Sequence, residues 1–103
     1  MLNPSSNLPG KVAIISNFTV NGDEKEFHRL FKVHEDFVRS QDGFIDCYLL
    51  RSTSRPELYS HTGWWQSIGS YQKAVKTELY NSQIEGLSTL AEMVDVDVYA
   101  TAP

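Results

Sequence analysis

The stretch Val12 to Ser40, VAIISNFTVNGDEKEFHRLFKVHEDFVRS, changes its hydrophobic period once. Up to Val20 the residues alternate, with Val12, Ile14, Ser16, Phe18 and Val20 on one face and Ala13, Ile15, Asn17 and Thr19 on the other. Both faces are largely apolar, which predicts a strand covered on both sides. From Phe27 onward the apolar positions Phe27, Leu30, Phe31, His34 and Val38, with Phe37 beside them, recur at helical spacing. Between the two patterns, Asn21-Gly22 supplies turn chemistry, Asp23 can cap a helix, and Glu24 and Glu26 suit a helix N-terminus. The reading is a strand followed by a helix from Glu24 to Ser40, ended by Asp42-Gly43.

Working outward, Phe44 to Arg51 reads as a second strand and Leu58 to Gln66 as a third, with Arg55-Pro56 as the turn of a hairpin between them. Ser67 can cap a second helix whose stripe is Ile68, Tyr71, Ala74, Val75 and Leu79. A break is expected near Asn81, followed by a further turn or two carrying Ile84, Leu87 and Leu90. At the end Val94, Val96 and Val98 alternate with Asp95, Asp97 and Tyr99, so the two acids read as the solvated face of an edge strand. The order βαββαβ predicts an α+β, ferredoxin-like fold, a four-stranded antiparallel sheet with both helices on one face. The other face is left bare, and a second copy stacking its own sheet there would cover it, giving a homodimer with a cavity in each chain between sheet and helices.

At 103 residues the chain has the size of one domain. Residues 11–103 read as that domain, and residues 1–10, with two prolines, two serines and two asparagines, as a flexible arm with no signal-peptide pattern, which points to the cytoplasm. Hydrophobic residues at 41% and charged residues at 21% describe a chain that folds around a core, and there is no membrane-like run. The formal charge is -4 with scattered basic residues, which argues against nucleic acid. Cys47 is the only cysteine, and His28, His34 and His61 are too far apart in sequence for a compact metal motif, so no metal is expected.

Several residues stand out against this frame. Asn17 is polar in the middle of an apolar strand, where an unsatisfied amide would cost about 1–3 kcal/mol. A buried water, the end of the first helix or a bound ligand could satisfy it. Trp64 and Trp65 are adjacent and point to opposite faces, while Tyr59, His61, Gly63 and Trp65 share one. Trp65 is either a core aromatic or a stacking and hydrogen-bonding surface for a flat ligand, and Gly63 leaves space beside it. His61 is either a candidate base or a histidine bonded at the cavity rim, and His34 either reaches the cavity from the first helix or is a satisfied structural histidine. Phe31 and Tyr71 belong to an aromatic set that would suit a planar ligand or simply a small core, and Cys47 reads as a packing residue.

The segments Ile15-Ser16-Asn17-Phe18-Thr19-Val20, Glu26-Phe27, Gly43-Phe44, Leu49-Leu50-Arg51 and Trp65-Gln66-Ser67 resemble the antibiotic biosynthesis monooxygenase family of dimeric α+β barrels over about Val12 to Tyr99. Within it, an Asn in the first strand and a Trp ending the third look most like the cofactor-free anthrone oxygenases of aromatic polyketide pathways. The resemblance implies oxidation of a polycyclic aromatic substrate to a quinone with O2 and no cofactor, in antibiotic biosynthesis. It implies catalytic donor roles for Asn17 and Trp65, which are then expected to open into one cavity. The reading of the residues adds His61 as a candidate catalytic base and His34, Phe31, Tyr71 and Gly63 as candidate substrate-binding residues. His61 stands where these oxygenases often carry another Asn. The second Trp and the helix-2 His of heme-degrading relatives are missing between Ala74 and Ile84. An isomerase, a cyclase or a small-ligand carrier on the same scaffold is the alternative.

Overall fold

In the computed structural model, which describes residues 10–102, strands β1 (Val12–Val20), β2 (Phe44–Arg51), β3 (Leu58–Trp65) and β4 (Ala91–Ala100) form one antiparallel sheet in the order β2-β3-β1-β4. Helices α1 (Glu24–Arg39), α2 (Ile68–Val75) and α3 (Glu78–Ser88) complete the ferredoxin-like α+β architecture. The expected arm falls almost wholly outside the described residues. No helix among those described is long and apolar enough to cross a membrane.

The local signals act as their chemistry requires. Asp23 caps α1 by accepting the Glu26 N–H at 3.0 Å, and Ser67 caps α2 in a reciprocal box with Ser70. Gly43, entering β2, sits at φ +84°, and a Cβ there would lie 2.4 Å from Ser70 Cβ, so both the backbone and the neighbouring cap require glycine.

The helical break comes earlier than the sequence suggested. Thr77 ends the first segment and caps α3 by accepting the Tyr80 N–H at 3.2 Å. Asn81 instead lies inside α3, its amide donating to the carbonyls of Val75 and Thr77 at 2.8 Å each. Leu79, placed by periodicity on the packing stripe, is consequently 51% exposed.

Two apolar clusters hold the helices to the sheet. One gathers Val12, Ile14, Val38, Trp65 and Ala74, and the other Phe18, Phe27, Phe31, Tyr59 and Leu87. Strands β1 and β3 and helix α1 each contribute to both clusters and carry a smaller or more polar residue in between. These are Ser16 between Ile14 and Phe18 on β1, His61 and Gly63 between Tyr59 and Trp65 on β3, and His34 between Phe31 and Val38 on α1. The gap between the clusters follows from that spacing.

The opposite face of the sheet carries no helix. Leu50, Tyr48 and Tyr99 lie on it, each at least half exposed. Asp95 and Asp97 share that face on the edge strand and are exposed.

Candidate functional site

The gap between the clusters is a cavity of about 270 Å³. It falls just below the range of roughly 300–1,000 Å³ common for small-molecule pockets. Its floor comes from β1 and β3, where Ser16 pairs with His61 and Ile14 with Gly63 across the strands. Its roof comes from His34 on α1, Tyr71 on α2 and Tyr80 on α3, and Phe18, Phe27 and Phe31 close one end.

Trp65 closes the other end. It is 2% exposed and packs edge-on against Phe44 and Tyr71, with ring centroids 5.4 and 5.8 Å away. A Cβ on Gly63 would stand 3.6 Å from the Trp65 indole nitrogen and 3.7 Å from His61 Cε1. The missing side chain thus keeps a slot open between the indole N–H and the imidazole.

The two histidines differ in ways the sequence did not separate. His34 Nδ1 lies 2.7 Å from Gln83 Oε1. An amide oxygen can only accept, so Nδ1 carries the proton and Nε2 keeps its lone pair. Burial pushes this imidazole below its ordinary value, and the bond to Gln83 partly opposes that. His61 stacks edge-on with Phe31 at 5.1 Å, and its Nε2 is buried with no hydrogen-bond partner among the described residues. Burial pushes it down to about 4, against the pull of the Glu35 carboxylate, so it is neutral near pH 7. Tyr71 and Tyr80 are held above the ordinary phenol range by burial and serve as neutral hydroxyls.

Of the residues singled out in the sequence, Trp65, His61, His34, Phe31, Tyr71 and Gly63 line this one cavity. Asn17 does not. It shares a face with Ala13 and Ile15, opposite to Phe18, and its amide donates to Asp95 Oδ1 at 2.8 Å on the open side of the sheet. The expectation that Asn17 and Trp65 open into the same pocket is therefore corrected, and an edge-strand carboxylate satisfies the amide that the sequence left orphaned. Ser16 holds the place Asn17 was given. Its signal was present in the alternation, because it shares parity with Phe18.

Cys47 is buried as a packing residue on the helix-facing side of β2, with burial first and the Glu35 carboxylate second raising its thiol to about 12. It contacts Glu35 Oε2 at 3.5 Å, a neighbour the sequence did not anticipate.

Residues 12–84 match the family model described as antibiotic biosynthesis monooxygenase. No curated protein matches significantly. Among solved structures the chain is similar to SnoaB, a cofactor-independent oxygenase from Streptomyces nogalater, with 21% identity and a TM-score of 0.86 over 91% of this chain and 95% of that one. It is also similar to a conserved protein from Methanosarcina mazei Go1, with 17% identity and a TM-score of 0.83 over 95% of this chain and 99% of that one. At these identities the two likenesses establish a shared fold.

Proposed function

The chain belongs to the antibiotic biosynthesis monooxygenase family, and from that premise we propose that it is a cofactor-independent monooxygenase oxidising an anthrone-like polycyclic polyketide to a quinone with O2. The observation that carries the substrate class is the make-up of the cavity. Its ends are aromatic, and its polar groups are few and come from both floor and roof: Ser16, His61 and the Trp65 indole below, His34, Ser88 and the two tyrosines above. Flat aromatic walls suit a fused-ring ligand, and a few fixed donors orient its oxygens.

The chemistry asks the protein to make and stabilise an anion. His34 Nε2 takes a proton from the substrate's phenol or its activated methylene. The resulting electron-rich anion gives one electron to O2, and the two radicals join in a carbon–oxygen bond. The peroxide takes up a proton and loses water, so that CH2 and O2 become C=O and H2O. The Trp65 N–H and the Ser16 hydroxyl donate to the oxygen on which charge develops, a role whose loss typically lowers rates about 10²-fold to 10³-fold. His61, neutral and largely enclosed, shapes the wall beside Gly63. In the same reading a second copy covers the open sheet face, and light scattering should then return twice the chain mass.

The test uses the purified protein and an anthrone-type phenol in an oxygen electrode. One O2 should be consumed per quinone formed, without loss of rate on adding a chelator. A strict need for added flavin or iron would overturn the reading, and equal product formation without O2 would make the protein an isomerase or cyclase. Gly63→Ala gives a sharper check. The added methyl meets its neighbours at ordinary contact distances, so stability should hold or rise by about 0.5–1 kcal/mol. Turnover should fall by about tenfold or more as the methyl displaces substrate from the donors. A variant that melts early yet turns over normally contradicts the slot.

A further inference from the structure

Glu35 on α1, Cys47 on β2 and His61 on β3 are separated in sequence by twelve or more residues, yet each offers a ligand atom and these atoms all lie within 4.8 Å of one another. We propose that the three side chains form a binding site for a divalent cation of the zinc class, which clamps α1 to the edge of the sheet. The site lies behind the His61 wall of the cavity and does not depend on the reaction assigned to the cavity.

Four observations carry the proposal. The donors are a thiol, an imidazole and a carboxylate, and sulfur with nitrogen selects zinc or its neighbours over magnesium or calcium. Atoms bound tetrahedrally at about 2.0–2.3 Å from one ion lie roughly 3.3–3.8 Å apart. The Cys47 to Glu35 pair is already at 3.5 Å, so closing the cluster needs only side-chain adjustment. A +2 ion with a thiolate, a carboxylate and a neutral imidazole sums to zero charge, which favours a buried position. His61 also brings an unmet need, since its Nε2 is fully enclosed without a hydrogen-bond partner among the described residues, and a buried polar atom left unpaired is costly.

The surroundings fit a held ion. The Glu35 side chain is 21% exposed, which leaves an entry path between helix and strand. Asp46 accepts the Cys47 backbone N–H at 2.8 Å and pairs with Arg39 at 3.2 Å, fixing the strand around the thiol. Arg39 also pairs with Glu35 at 3.6 Å, so it can keep Asp46 when Glu35 turns to the ion. On binding, the thiol proton leaves to solvent and a sulfur–metal bond forms, with no change of oxidation state. Three protein ligands leave the fourth position to water.

The experiment titrates the full-length reduced protein with Co2+ under anaerobic conditions and follows thiolate-to-cobalt charge-transfer absorption in the near ultraviolet. Saturation at one ion per chain is expected, with the band displaced by Zn2+ and the melting temperature raised by Zn2+. Cys47→Ala should abolish the band. Glu35→Gln and His61→Gln should each weaken binding by about tenfold to 100-fold or more, since even outer partners of metal ligands cost that much. Circular dichroism checks that each variant is folded, and binding is read on folded protein only. Absence of the band in the parent protein, its persistence in Cys47→Ala, or undiminished affinity in both other variants would overturn the site. None of these readouts involves oxygen consumption, so the result stands apart from the outcome for the cavity.

Discussion

Phe27→Ala should remove about 3–5 kcal/mol of stability, the usual cost of deleting a fully buried phenylalanine. Phe27 is 1% exposed and is the hub of its cluster, with ring centroids at 5.6 Å from Phe18, 5.6 Å from Phe31 and 5.5 Å from Tyr59. It touches the sheet through Phe18 and Tyr59 and its own helix through Phe31, so neither side can collapse into the space alone. A domain of this size has only about 5–15 kcal/mol in total, and the variant should lie near the edge of folding at 37 °C. Urea denaturation measures the loss. Leu79→Ala, at a position 51% exposed, should shift the same curve by about 0.5 kcal/mol or less. A Phe27 variant within about 1 kcal/mol of the parent would mean that this end of the core is not close-packed.

The strands and α1 were legible because their signals are local and agree with one another. Alternation over Val12 to Val20, the Asp23 cap and the spacing of Phe27, Phe31, His34 and Val38 all act within a few residues, and the elements formed where those signals lie. The second helical run misled for a physical reason. Its apolar period continues from Ile68 through Leu79, while the stop depends on Thr77 offering its hydroxyl as a cap, and a threonine inside a helical pattern does not announce that choice. The third strand was expected to reach Gln66 but ends at Trp65, where Ser67 begins the cap of α2.

Asn17 shows where local reading and resemblance diverged. Parity put it opposite Phe18, whose aromatic bulk marks the core face, but an amide in an apolar strand invited a ligand. Its actual partner, Asp95, is 78 positions away and meets it only through the β1–β4 pairing, with the register shifting just beyond, between Asn17 and Phe18. The Glu35, Cys47 and His61 cluster was hidden in the same way, since each belongs to a different element and only the packing of α1 over β2 and β3 joins them. By contrast, the cavity could have been read in outline. Ser16, His34, His61 and Gly63 each interrupt a run of large apolar residues on a core-facing stripe, and the interruptions stack at one level of the fold.

His34→Phe should lower turnover by about 10²-fold to 10⁴-fold, the range that a positioned general base supplies. Phenylalanine keeps a ring where the imidazole packs against Tyr80 at 4.9 Å and Phe31 at 6.4 Å. The lost bond to Gln83 should cost only about 1 kcal/mol, so the variant should stay folded and a fall in rate would not reflect unfolding. Between the two histidines, His34 is the better base because its proton is fixed on Nδ1 by Gln83, while His61 is driven to about 4 by burial and its Nε2 is enclosed. A substrate acidic enough to ionise unaided in the assay buffer bypasses proton removal, so His34→Phe should turn it over within a few-fold of the parent, whereas a variant damaged in binding or packing would fail with both substrates. Asn17→Ala is the paired control. Its amide serves the exposed Asp95 on the far side of the sheet, so its turnover should stay within about twofold of the parent, against the loss of roughly 3–4 kcal/mol of transition-state stabilisation expected of a donor in the site. If Asn17→Ala were the crippled variant and His34→Phe the active one, the chemistry would lie on the open face of the sheet, and the cavity would be a packing gap between two halves of a core.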